Sequence, residues 1–530
     1  MYLLQTQQQH SRRAFLKRAG QLAFTGAALP TAINLAALGE AAAFNAGNDY
    51  KALVCVFLYG GSDYANTLIP ADAASYAAYQ TIRGTTGSSL QNGIALGRTP
   101  ETINSVNLPG INSSLLTPIA GGEPVSAIGQ TGLQYALHPS MSGMQSLFNT
   151  QKAAVLLNCG PLVVPLSKAN FNSSNRTLYP LPPKLFSHND QQSIWQSSSP
   201  EGSTIGWGGN IGDLALSSNG SSSLFTCISV TGNAVFLSGD NALSYQVGRN
   251  GAVKINAVGT PYSFAGVGSA INQMIAPQQV NLSHSLEREY GRVTKRAVNA
   301  EGAITSAISS TAPSRVNNVD VYPAPFNAFP TGNSLSDQLR MVARLIAARG
   351  PLNTKRQVFM VSLGGFDSHD NLISDHARNM DRVSSAMKAF HDAMGSLGVA
   401  DKVTAFTATD FGRTLSSNGD GSDHGWGSHQ FIVGGAVNGG KFYGYAPPVS
   451  VSDTSAPADQ WHVRQGRLLP STGVDQYAAT LAKWFGVSDL ELVGTAGQNY
   501  NDAILPSLHN FGGIANGVNY ARDLGFMQPA

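Results

Sequence analysis

The run Ala52-Leu53-Val54-Cys55-Val56-Phe57-Leu58-Tyr59, free of charge and stopped by Gly60-Gly61, constrains the fold more than any other feature of the chain. A continuous apolar, β-branched run without alternation suits a strand buried on both faces, the place of a central strand in a parallel sheet. Shorter runs of the same kind recur at Ala153 to Leu157, Val358 to Leu363 and Val403 to Thr407. Between the last two, the apolar residues Met380, Val383, Met387, Phe390 and Met394 fall at helical spacing, so this stretch is expected to form a strand, helix, strand unit. A further helix precedes it, with Leu335, Leu339, Val342 and Ile346 on one face and Gly350-Pro351 at its end. The expected fold class is therefore α/β, a doubly wound and mostly parallel sheet flanked by helices. Around 217–258, short alternating runs broken by Asn-Gly and Gly-Asp pairs predict a small antiparallel insertion, and a polar helical segment is expected around 286–308.

Charge excludes some partners. Only 12% of the 530 residues are charged and the formal net charge is +2, which gives no reason to expect nucleic acid or an anionic membrane as the main partner. Cys55, Cys159 and Cys227 lie far apart and show neither zinc-ribbon nor redox-motif spacing, so no disulfide framework is expected. Cys55 reads as a small buried hydrophobe.

The segment Ser11-Arg12-Arg13-Ala14-Phe15-Leu16-Lys17, followed by an Ala-rich apolar stretch from Ala19 to Leu38 and small residues at Ala41 to Ala43, has the pattern of a twin-arginine export signal over residues 1–43. The expected partner at this end is the twin-arginine translocation machinery, and the expected location is periplasmic or secreted. Too many small residues stand in the apolar stretch for a stable membrane anchor, so no membrane span is expected in the mature protein. This route characteristically carries folded cargo, which hints at a metal or cofactor acquired before export.

Three polar clusters each follow an apolar strand, and ligands of open α/β sheets bind outside the carboxyl ends of the strands. The first, Gly60-Gly61-Ser62-Asp63-Tyr64-Ala65-Asn66-Thr67, offers Asp63 and the hydroxyls of Ser62 and Thr67 after a tight turn. A second, Gly364-Gly365-Phe366-Asp367-Ser368-His369-Asp370, offers two carboxylates and an imidazole. The third runs from Thr409-Asp410-Phe411-Gly412-Arg413 to Asp423-His424-Gly425-Trp426-Gly427-Ser428-His429. Carboxylates neutralise a cation and imidazoles add directional nitrogen ligands, so the set favours a divalent Zn, Mn or Fe ion over an all-oxygen calcium cage. Each cluster also has a plainer reading. Asp63 and Asp370 can simply cap a helix or close a turn, Arg413 can hold a substrate anion or pair with a neighbouring carboxylate, and His138 in Leu137-His138-Pro139 can serve a turn. His188 and Asp190, in the polar stretch Ser187-His188-Asn189-Asp190-Gln191-Gln192 before Trp195, can line a cleft.

Taken together these residues resemble the bacterial proteins grouped as domain of unknown function 1501, within the alkaline-phosphatase-like superfamily. The resemblance rests on the twin-arginine start, Phe57-Leu58-Tyr59-Gly60-Gly61-Ser62-Asp63, Ala136-Leu137-His138-Pro139, Ser187-His188-Asn189-Asp190-Gln191, Gly365-Phe366-Asp367-Ser368-His369, Thr409-Asp410-Phe411-Gly412-Arg413-Thr414, Asp423-His424-Gly425-Trp426-Gly427, Val474-Asp475-Gln476-Tyr477-Ala478 and Trp484-Phe485-Gly486. It implies one alkaline-phosphatase-like α/β domain over 44–530, with metal ligands at strand ends matching Asp63, Asp367, His369, Asp410 and His424. Superfamily phosphatases carry an Asp-His pair where this chain has Asp410-Phe411, which puts one of two metal sites in doubt. Sulfatases of the superfamily need a Cys-x-Pro-x-Arg context, and Cys159-Gly160-Pro161-Leu162-Val163 lacks the Arg.

The expected function is that of an exported, metal-dependent hydrolase of small phosphate or sulfate esters, with Thr67 or Ser62 as nucleophile and Arg413 in the site. The competing expectation, motivated by Phe411, is a non-catalytic exported binding or assembly protein on the same fold. A serine-esterase route through Ser62 is weaker, because no nucleophile-elbow motif surrounds it.

Overall fold

The computed structural model describes residues 49–84, 93–103, 105–254, 266, 270, 285–494 and 500–529. The expected export signal, 1–43, lies outside the described residues. Among them, no helix is long and apolar enough to cross a membrane.

The main sheet is built from β1 (Lys51–Leu58), β2 (Ala153–Gly160), β3 (Cys227–Ser229), β4 (Tyr245–Gly248), β5 (Gly251–Ala252), β6 (Arg356–Leu363), β7 (Val403–Thr409), β8 (Ser428–Gly434), β9 (Phe442–Tyr443) and β10 (Thr472–Gly473). Their spatial order is β5-β4-β3-β6-β1-β7-β8-β2-β9, with β10 also paired to β2. β1 lies at the centre, parallel to β6 on one side and to β7 on the other. β3 continues the parallel set beside β6, whereas β8 runs antiparallel to both β7 and β2. The connection from β7 to β8 holds a hairpin but no crossover helix, and a strand reached without a crossover runs antiparallel to its neighbour.

The alternation of β1 shows why the run had to be apolar throughout. Beside the sheet lie the helices α1 (Ser142–Asn149), α2 (His188–Ser197), α3 (Trp207–Asn219), α4 (Ser334–Ala347), α5 (Leu372–Ser396) and α6 (Val474–Phe485). Ala52, Val54, Val56 and Leu58 enter one core with Leu335, Leu339, Val342 and Ile346 of α4 and Met380, Val383, Met387 and Phe390 of α5. Leu53, Cys55 and Phe57 enter the opposite core with Trp195 of α2, Trp207 and Ile211 of α3, and Tyr477 and Leu481 of α6. The result is the α/β fold expected, a mixed, largely parallel sheet with helices on both faces. Replacing one such buried leucine by alanine costs about 2–5 kcal/mol. α4 starts where Asn333 accepts hydrogen bonds from the backbone N–H groups of Leu335 and Ser336.

The β-rich stretch expected around 217–258 is built into the edge of this sheet. β3 and β4 join it in parallel, and its antiparallel part is the hairpin of β4 and β5. The polar segment expected around 286–308 is a helix, Ser285–Ala307.

Candidate metal centre

β1, β6 and β7 end at one level, because Leu58 pairs with both Leu363 and Thr409. The chain then turns sharply at all three ends. Thr409 Oγ1 donates to Leu58 O over 2.8 Å and accepts from Ser62 N over 3.0 Å, while Phe366 N donates to Tyr59 O over 3.2 Å. Gly60, at φ +119°, lets the loops after β1 and β6 touch: a Cβ there would stand 2.4 Å from Asp367 N. Its own N–H donates to Asp410 Oδ2 over 3.2 Å.

At the mouth of these loops three imidazoles surround one carboxylate. His369 Nε2 lies 3.1 Å and His424 Nε2 3.2 Å from Asp367 Oδ1, and the two nitrogens are 3.0 Å apart. His188 Nε2 stands 3.4 Å from Asp367 Oδ2. Each ring is held from behind by an oxygen on its other nitrogen. Asp410 Oδ2 is 2.6 Å from His188 Nδ1, Phe186 O is 2.9 Å from His424 Nδ1, and Asp423 Oδ1 is 3.4 Å from His369 Nδ1. A carbonyl or carboxylate oxygen can only accept, so Nδ1 carries the proton in His188 and His424, and in a neutral ring Nε2 then presents a lone pair to Asp367.

Asp367 is anchored on the other side by Arg413, whose Nη1 donates to its Oδ1 over 2.8 Å. Burial raises the Asp367 pKa, but opposing causes led by the hydrogen bond and charge of Arg413 outweigh it and hold the carboxyl below its ordinary value. Burial lowers the His424 pKa against the pull of Phe186 O and Asp367, which keeps that ring neutral. The hydrogen bond that its Nδ1–H donates to Asp410 is the main reason that the His188 pKa is raised.

These groups fit a bound cation. A neutral imidazole lone pair and an ionised carboxylate 3.2 Å apart repel one another unless positive charge lies between them. Ligand atoms about 2.0–2.1 Å from one shared cation stand roughly 3 Å from each other, as these do. His188, Asp367 and His424 each place a ligand atom within 4.8 Å of the others. A carboxylate or carbonyl behind each ligating imidazole is the usual second layer of a metal site. Buried Asp410 also keeps one oxygen, Oδ1, without a hydrogen-bond partner.

The structure thus brings Asp367, His369 and His424 together, with Asp410 behind His188. Asp63 does not join them. Its carboxylate accepts from Arg83 at 2.7 and 3.0 Å, from Asn66 N at 2.8 Å and from Ser422 Oγ at 2.9 Å, and it caps the turn Tyr64–Thr67. Thr67 is buried: its Oγ1 donates to Asp63 O over 2.7 Å and meets His376 Nε2 at 3.0 Å. Ser62 is buried beside Thr409. Arg413 is wholly buried and spends its guanidinium on Asp367, Gly60 O and Ser422, which fits carboxylate pairing and leaves it no face for a substrate anion. His138 serves a turn, accepting from Ser140 N at 3.1 Å. Cys159 lies fully buried in the core at the end of β2.

Two members of the cluster were not among the expected ligands. His188 is the first residue of α2, and the only sequence signal for it was a polar stretch before Trp195. Its ring packs 4.8 Å from that of Phe411, which also lies 4.7 Å from His424. The imidazole missing at position 411 is therefore matched by one reaching Asp410 from 222 residues earlier. Asp423, adjacent to His424 in sequence, places its carboxylate 3.4 Å from His369 Nδ1.

A family model described as "Protein of unknown function (DUF1501)" matches residues 50–491. No curated protein matches the chain. Among solved structures, the lipoteichoic acid synthase LtaP from Listeria monocytogenes is similar at 8% identity and a TM-score of 0.31, covering 84% of this chain and 74% of its own. Ps i-CgsB in complex with k-i-k-neocarrahexaose is similar at 10% identity and 0.30, over 83% and 72%. The PsFucS1 sulfatase from Pseudoalteromonas sp. follows at 8% and 0.28, over 74% and 64%. None of these likenesses is strong enough to carry an argument about fold or activity.

Proposed function

The chain belongs to the DUF1501 family, whose description assigns no activity, and from its own residues we propose that it is an exported, metal-dependent hydrolase of phosphate or sulfate esters. The observation that carries this reading is the convergence of three imidazole Nε2 atoms on Asp367, with His188 and His424 each fixed by a hydrogen bond to an oxygen behind the ring. Asp367, His369, His424 and His188 would hold a divalent ion, with Zn, Mn and Fe suited to this mixture of nitrogen and carboxylate donors. Such an ion supplies a Lewis acid for the ester oxyanion and for an attacking water. Around it, Asp410 fixes the His188 tautomer, Arg413 fixes the rotamer of Asp367, and Phe411 shields the rings of His188 and His424 from water on one side. Export rests on Arg12-Arg13 and their apolar successor.

Metal analysis of the purified protein, with turnover of nitrophenyl phosphate and nitrophenyl sulfate, tests the reading. About one transition-metal ion per chain is expected, lost together with turnover in Asp367→Ala and His424→Ala. No bound metal, and no turnover after Zn, Mn or Fe is added, would remove the proposal.

A second reading, a non-catalytic exported binding protein, is supported by the burial of both candidate hydroxyls, Ser62 and Thr67, away from the cluster. It expects metal uptake without turnover of either ester.

A further inference from the structure

Beside the cluster lies a cleft of about 540 Å³, within the usual size of small-molecule sites, lined by Lys168, Phe171, Phe186, Asp453, Arg464 and Arg467 among others. Its charges are unequal. Lys168 lies 2.8 Å from the Asp453 carboxylate and donates to Asp459 O over 2.7 Å, so that cation is already satisfied. Arg464 is exposed and, among the described residues, its guanidinium has no ion-pair partner. Arg467 is half-buried, stacks 5.2 Å from the Phe186 ring centre, and donates its Nε–H to His424 O over 2.6 Å, while among the described residues its terminal nitrogens have no hydrogen-bond partner.

The cleft and the cluster adjoin through His424. Phe186 accepts from His424 Nδ1 at 2.9 Å, and Arg467 holds the carbonyl of the same residue, so two residues lining the cleft position one metal-ligand candidate. An occupant of the cleft is therefore the neighbour of whatever binds at Asp367. Guanidinium groups select sulfate, phosphate or carboxylate through paired N–H donors, and half-buried Phe171 in the same lining offers apolar surface to a sugar or aromatic ring.

Resting on the metal-centre reading, we propose that this cleft is a second anion subsite, in which Arg464 and Arg467 bind an acidic group carried on the ring-bearing body of the ester whose scissile group lies at Asp367. The substrate class is then an ester with two or more anionic groups. A monoanionic ester on an uncharged body fills only half of the site.

Calorimetric titration of the full chain with naphthalene-1,5-disulfonate, a flat ring with two anionic groups that cannot be hydrolysed, tests the subsite apart from catalysis. The titration is run on chelator-treated protein and on protein given Zn or Mn. Arg464→Asn is the informative variant, because Arg464 has φ +44° and asparagine tolerates that left-handed backbone. The disulfonate is expected to bind both forms of the protein, about tenfold more weakly in Arg464→Asn, with binding recovered in part by Arg464→Lys and weakened by salt. Inorganic sulfate is expected to bind less tightly than the disulfonate. Metal uptake in Arg464→Asn should equal that of the parent. Failure of the chelated protein to bind the disulfonate, or equal binding by Arg464→Asn and the parent, overturns the subsite. Loss of disulfonate binding in Arg464→Asn, in a protein that takes up no metal in any form, supports the subsite and overturns the metal centre alone.

Discussion

His188 Nδ1 and Asp410 Oδ2 meet at 2.6 Å, joining the first residue of α2 to the residue just past β7. The carboxylate also accepts from Gly60 N at 3.2 Å and Gln192 Nε2 at 2.9 Å, so a single oxygen gathers three segments of chain. On the proposed metal-centre reading this oxygen fixes the tautomer and aim of the imidazole, while the unpartnered Oδ1 of the same carboxylate stays free for a cation. Asp410→Asn is therefore expected to lower metal affinity about 10–100-fold while leaving the fold intact. Metal titration beside a thermal melt checks this, and unchanged affinity would deny Asp410 that role.

Asp63 and Arg83 form a fully buried ion pair at 2.7 Å, with Asn66 and Ser422 completing the carboxylate's hydrogen bonds. Burial raises the Asp63 pKa, but the charge and hydrogen bonds of Arg83 outweigh it and lower it from 3.8 to about 2. A lowered folded-state pKa means that this group's stabilisation is present above about pH 4 and fades as pH falls toward 2. Asp63→Asn leaves Arg83 buried without its counter-ion and is expected to cost about 3–5 kcal/mol in urea unfolding at neutral pH. The variant should also lose that part of the acid sensitivity between pH 4 and 2.

The same pair shows where the sequence stops being legible. Doubly buried strands announce themselves by composition, so β1, β6 and β7 were readable, and with them the strand-end residues Asp367, His369, Asp410 and His424. Nothing local distinguishes Asp63 from Asp367, since both follow a glycine pair after an apolar strand. What separates them is Arg83, at the end of the helix Ala73–Arg83, which claims one carboxylate and not the other. His188 was missed as a candidate ligand for the complementary reason: it comes from a helix start rather than a strand end, and only tertiary packing brings it to Asp410.

Asp475 provides an opposite pH signature. Burial raises its pKa from 3.8 to about 6, against hydrogen bonds from Ser198 Oγ at 2.7 Å and Ser507 N at 3.1 Å. The folded state here holds its proton more tightly than the unfolded chain, so stability is fully present below about pH 4 and declines as pH rises through 6. The slope is at most about 1.4 kcal/mol per pH unit. Asp475→Asn should flatten that decline in unfolding curves measured from pH 4 to 7, and an unaltered slope would place the titration elsewhere.

Gly60→Ala tests whether the site depends on how closely two loops approach. At φ +119° an L-residue is strained, and the added Cβ would meet the backbone of Phe366 and Asp367, with Asp367 N at 2.4 Å. Backbone cannot rotate away as a side chain can, so the loops after β1 and β6 must separate. That movement pulls Gly60 N from Asp410 Oδ2 and Gly60 O from Arg413 Nη1, the two contacts that tie the loop after β1 to the groups behind His188 and Asp367. Strain of this kind is of order 1–3 kcal/mol, small beside the stability of a domain with two large cores, so the variant should fold. It should nevertheless lose metal affinity at least about tenfold, because ligand atoms that diverge by even half an ångström no longer converge on one ion. Gly364→Ala, where an added Cβ meets nothing within 4 Å, is the control expected to bind as the parent does. Equal metal binding by Gly60→Ala and Gly364→Ala would show that the loop contact at Gly60 does not set the geometry around Asp367.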